Sequence, residues 1–145
     1  MNTEDSINKK NKFKIIGINI LLFGLLFGLV TLNKEYLRPY FSGSALAKII
    51  TGSFPNLIAA YIISLTAVNP VLTIKPRFGR RIIYISTFAV SVILTIEEFT
   101  SIVGASEHFD IYDIIASVLG STLAILTYEL INYRQKNRLR KIDTK

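Results

Sequence analysis

Four long apolar runs, each followed or preceded by clustered charge, organise this chain. They cover about 13–32, 54–74, 82–103 and 111–131. Each is close to the ~20 residues that a helix rising 1.5 Å per residue needs to cross a hydrocarbon core of ~30 Å. The pattern predicts an all-α fold: one integral membrane domain over 1–145, built as a four-transmembrane-helix bundle. The first run could be mistaken for a secretory leader, since basic residues precede it. Its apolar stretch 15–32 exceeds a usual signal core, and the nearest small-x-small site, Ala45-Leu46-Ala47, lies far downstream. It is expected to stay in place as the first span.

Local residues refine the elements. Gly17, Gly24, Gly28 and Thr31 share a face of the first helix, and Gly24-x-x-x-Gly28 would let another helix approach closely. Tyr36, Tyr40 and Phe41 follow, side chains suited to a membrane interface. Gly43 and Gly52 then bracket a half-apolar stretch, which reads either as an interfacial or re-entrant helix over 43–52 or as a loop. Ser53 is placed to cap the second helix, with Pro55 in its first turns. Asn69-Pro70 is expected to kink or end that helix. The first and last twelve residues are expected to be frayed.

Charge fixes the expected orientation. Of 17 Lys and Arg residues, all but Lys34, Arg38 and Lys48 fall in three segments: 9–14, 75–81 and 134–145. Short cytoplasmic loops carry this excess, so both termini are expected to be cytoplasmic. The formal net charge of +7 is then a topology signal that also meets anionic headgroups, and no nucleic-acid partner is expected. With no Cys and a single His, disulfides, thiolate metal sites, cysteine nucleophiles and His-rich metal sites are excluded. No cofactor is expected.

The acids gather at the other end. Glu97 and Glu98 lie late in the third run, and Glu107, Asp110 and Asp113 occupy the turn and the start of the fourth. At 100° per residue Tyr84, Thr87, Ser91, Thr95 and Glu98 form one stripe, and Asp113, Ser117, Gly120, Ala124 and Thr127 form another. Both stripes are polar or small and should face the bundle interior or a water-filled cleft. A plainer role exists for each acid: Asp110 or Asp113 can cap the fourth helix, whose free N–H groups favour a carboxylate. Glu129 is expected to pair with Arg134 near the inner end, and His108 to be a solvated loop residue.

At Glu98, Asp110, Asp113 and Gly120 the chain resembles the VanZ-like family of small bacterial membrane proteins. That family has a Glu in the third helix, a Gln three residues on, an Arg before the turn, an Asp-x-x-Asp pair, an Asn four residues later and a Gly. Ser101, Glu107 and Ser117 stand where Gln, Arg and Asn are usual. Loss of the Arg leaves a more acidic mouth and tells against an anionic ligand. The resemblance implies a multi-pass protein of the bacterial cytoplasmic membrane, and its founding member is linked to low-level resistance to the glycopeptide teicoplanin.

Three functions follow as expectations. The first is a non-enzymatic protein whose outward-facing acidic cleft binds or shields an envelope component, a lipid-linked cell-wall precursor or a cationic amphiphile, through Glu98, Asp110, Asp113, Ser117 and Gly120. The second is an enzyme on a lipid-linked phosphate or glycan, using a divalent metal held by Glu98, Asp110 and Asp113, since hard cations prefer oxygen ligands. Asp110-x-x-Asp113 lacks the Gly and Ala-Arg that phosphatidyl-transferases place after the second Asp. The third is a proton- or cation-coupled transporter that titrates Glu98; it needs a homo-oligomer, because four helices are few for alternating access. Membrane lipids are partners in all three.

Overall fold

The computed structural model describes residues 3–41, 43–100 and 110–143, with side chains over 9–41, 43–99 and 110–137. Helix α1 spans Thr3–Leu32, passes through a π-helical turn, Asn33–Leu37, and ends in the short α2, Arg38–Tyr40. Then come α3 (Ala45–Ile74), α4 (Gly79–Thr100) and α5 (Ile111–Asp143). No strand occurs among the described residues. Four helical stretches are long and apolar enough to cross a membrane: Lys9–Tyr40, Ala45–Ile74, Gly79–Phe99 and Ile111–Asn137. The chain is a multi-pass helical membrane protein by that measure.

Contacts fix the helix order. Asn69 meets Ile15 and Asn19 while Asn33 meets Thr51, so α1 and α3 are antiparallel. Gly120 lies against Leu57 and Ala60, and Thr127 against Tyr61, so α3 and α5 run the same way. Arg80 meets Glu129 and Glu98 meets Asp110, so α4 runs opposite to α5. One end of the bundle, the tail end, therefore gathers the start of α1, the end of α5 and the α3–α4 turn. The other, the mouth, gathers the α1–α3 connection, the end of α4 and the start of α5.

The helices are longer than their apolar runs. The tails hold no Gly before Gly17, none after Gly120 and no Pro, and Lys, Arg and Gln propagate a helix once the span has nucleated it. Expected fraying gives way to helix from Thr3 and on to Asp143. Residues 45–51 likewise run without a break into the span, so they are the first turns of α3 and form no separate interfacial element. Ser44 takes the N-cap position without a side-chain bond, and Ser53, expected there, is buried inside the helix.

Both prolines of α3 sit inside it, and each frees the carbonyl four residues earlier. In lipid such a group must find another donor. Pro55 frees Thr51 O, which accepts from Asn33 Nδ2 at 2.8 Å and from Arg38 Nε at 3.3 Å. Pro70 frees Thr66 O, which accepts from Asn19 Nδ2 at 3.4 Å. Asn69 Nδ2 completes the link by donating to Asn19 Oδ1 at 2.8 Å and to Ile15 O at 3.0 Å. Thus Asn69-Pro70 does not end α3. Helix α1 is docked by amides that mend its neighbour, while a Cβ at Gly17, Gly24 or Gly28 would have nothing within 4 Å. The expected small-residue contact is not made among the described residues.

Helices α3, α4 and α5 form the tighter part. Val68, Val71, Ile83 and Tyr128 make a buried cluster, with Leu65, Leu72 and Ile125 packed against it. Gly120 permits the closest approach. A Cβ there would collide with Leu57 O and lie 2.9 Å from Ala60 Cβ and 3.0 Å from Tyr61 N.

Candidate functional site

The mouth brings Glu98, Asp110 and Asp113 together, and gives them different tasks. Asp110 precedes α5, and its Oδ1 accepts from Tyr112 N at 2.9 Å, the N-cap arrangement. Glu98 Oε1, on α4, accepts from Asp110 N at 3.0 Å and so ties the end of one helix to the start of the next. Each carboxylate thus satisfies a backbone N–H that the start of α5 leaves without a helical partner.

Asp113 is different. It lies in the first turn of α5 and is half-buried. The charged groups near enough to act on it are Glu98, Asp110 and Arg38, and the hydroxyl turned toward it is that of Ser53. Asp113 Oδ1 and Ser53 Oγ are both shielded from solvent, and neither has a partner among the described residues. A buried carboxylate oxygen without a donor is costly, in the range of ~1–3 kcal/mol or more.

Ser117 and Gly120 continue the same face. Ser117 is 2% exposed, and its hydroxyl donates to Asp113 O at 2.9 Å within its own helix. Gly120 is a packing residue against α3. Ala124 is fully buried, and Thr127 reaches Tyr61 OH at 3.2 Å. The α5 stripe therefore forms a helix–helix interface with α3 below Asp113. On α4, Thr87 is fully buried and bonds to Ile83 O at 2.7 Å, while Glu97 and Glu98 are half-buried.

An apolar groove of about 210 Å³ opens between α3 and α5, with Ser53 rather than Asp113 in its wall. Ile49, Ile50, Phe54, Leu57, Ile115 and Leu119 line it, and Ser53 belongs to both the groove and the surroundings of Asp113. Comparison of the chain with protein-family profiles, with curated proteins and with solved structures finds no match.

Several expectations are revised here. Arg38, outside the three basic segments, donates to Gly52 O at 2.9 Å from Nη2 and brings a positive charge to the acidic mouth. Glu129 pairs with Arg80 rather than Arg134, at 2.7 Å, and also accepts from Tyr84 OH at 3.3 Å. The antiparallel packing of α4 on α5 makes that partner available. Among the described residues no group of three acids is arranged to hold a metal ion. Ser101, Glu107, His108 and the end of the third run at residue 103 lie outside the described residues.

Proposed function

We propose that this chain is a non-enzymatic membrane protein that holds an envelope amphiphile bearing an amine or other donor headgroup, with Asp113 as the central contact. The observation that carries this reading is the shielded, unpartnered pair of Asp113 Oδ1 and Ser53 Oγ, with Ser53 in the wall of the apolar groove. A headgroup donor would satisfy the carboxylate, and an alkyl chain would fill the groove between Ile49, Phe54 and Leu119. Glu98 and Asp110 hold the mouth together and set its negative field, which favours a cationic head over a phosphate. Gathering of the basic segments at the tail end supports a cytoplasmic location for both termini, with the mouth facing outward.

On this reading the VanZ-like spacing of Glu98, Asp110, Asp113 and Gly120 reflects a shared way of joining two helices, with Asp113 left over for the ligand. A shielding role of this kind is compatible with an effect on glycopeptide susceptibility. The test is calorimetric titration of the full chain in phosphatidylcholine nanodiscs with dodecylamine, using dodecanol to separate charge from chain. Saturable amine binding that disappears in Asp113→Asn supports the reading. Equal binding by wild type and variant overturns it.

A further inference from the structure

A second site lies at the opposite end of the bundle from Glu98, Asp110 and Asp113. Between the α3–α4 turn and the last turns of α5 the structure holds a cavity of about 410 Å³. Lys75, Arg77, Arg80 and Lys136 contribute to its wall, with the polar side chains of Asn132 and Gln135. The carboxylate of Glu129 is taken up by Arg80. Four cations against one carboxylate leave a net charge of +3 around the cavity, and among the described residues Lys75, Arg77 and Lys136 have no acid within ion-pair reach.

The backbone sharpens the argument. Lys75 ends α3 at φ 53° and ψ 56°, the single positive-φ residue other than glycine among those described. That region crowds a Cβ against the backbone, and helices usually fill this position with Gly. Here the chain instead places a cation that lines the cavity. Gly79 also forms part of the wall, so the positive pole of the α4 dipole adds to the same field.

We propose that this cavity binds a phosphate group, with Lys75, Arg77 and Lys136 supplying charge and Asn132 and Gln135 supplying hydrogen bonds. Basic pockets between helices at a membrane surface suit phospholipid headgroups, and the planar arginine fork matches phosphate oxygens. A soluble phosphate ester offers the same chemistry. The inference is independent of the ligand at Asp113, since the two sites share no residue.

The full chain in dodecyl maltoside would be titrated with dihexanoyl phosphatidylglycerol, dihexanoyl phosphatidylcholine and glycerol phosphate, and melted by circular dichroism. Phosphatidylglycerol should bind at least about tenfold more tightly than phosphatidylcholine, and Lys75→Gly should lose about that factor. Its melting temperature should hold or rise, because glycine suits the left-handed turn. Lys136→Gln should weaken binding in parallel, and it decides alone if Lys75→Gly melts lower. Binding of glycerol phosphate that is lost in the same variants supports the site with a soluble ligand. Unchanged affinity in both variants, or no binding of phosphatidylglycerol or of glycerol phosphate, overturns the proposal.

Discussion

The pairing of Asn33 with the proline-freed carbonyl of Thr51 yields a prediction that can be worked through quantitatively. Asn33 is wholly buried, and its Nδ2 reaches Thr51 O at 2.8 Å. Replacing it with Leu keeps the number and branching of side-chain heavy atoms and removes the donor. Side-chain hydrogen bonds between membrane helices average ~0.6 kcal/mol, with a maximum of ~1.7 kcal/mol. The short distance and full burial place this one in the upper half of that range, moderated by Arg38 Nε, which stays at 3.3 Å. Asn33→Leu also removes the unpartnered Oδ1, a gain that offsets part of the loss. That gain cancels in a double-mutant cycle with Pro55→Ala, because only the Thr51 carbonyl changes its need: alanine restores the helical N–H. Asn33→Leu should therefore cost about 1 kcal/mol more in the wild-type background than in Pro55→Ala. The chain has seven Tyr and no Trp, so unfolding in mixed detergent–dodecyl sulfate micelles would be followed by circular dichroism and tyrosine signal. A coupling below about 0.3 kcal/mol, the ordinary error of additivity, would refute the compensation.

Gly120→Ala should destabilise by about 1–3 kcal/mol in the same assay, since the added methyl meets Leu57 O. Gly24→Ala and Gly28→Ala, with open space around them, should leave the chain unchanged or slightly more stable. Asp110→Ala removes the α5 cap and should cost about 0.5–2 kcal/mol, with faster amide exchange in the first turn of α5. Exchange unchanged at Tyr112 would show that the cap contributes nothing.

Much of the architecture can be read from the chain because lipid imposes a simple code: apolar length gives the spans, and clustered Lys and Arg mark the tail end. Asp110 as a cap and Gly120 as a close-packing position were also accessible, because both follow from local geometry on one helix. What escaped was set by which helices become neighbours. The residues four before Pro55 and Pro70, Thr51 and Thr66, announce carbonyls in need of donors, and Asn19 and Asn33 are amides in or beside the first apolar run. Matching them requires knowing that α1 packs on α3. Glu129 shows the same limit: Arg134 is near in sequence, but antiparallel packing brings Arg80 to it. The acids of the mouth look alike in the sequence, and only their hydrogen bonds separate Glu98 and Asp110 from Asp113.

That separation is the core of the functional account, and native mass spectrometry of the full chain released from mild detergent tests it most directly. Wild type, Asp113→Asn and Asp110→Asn would be purified side by side and examined for co-purifying amphiphiles. The account predicts an adduct on wild type that persists on Asp110→Asn and is lost from Asp113→Asn. An adduct retained equally by all three proteins, or lost from Asp110→Asn while Asp113→Asn keeps it, would contradict the assignment of Asp113 as the ligand-bearing group.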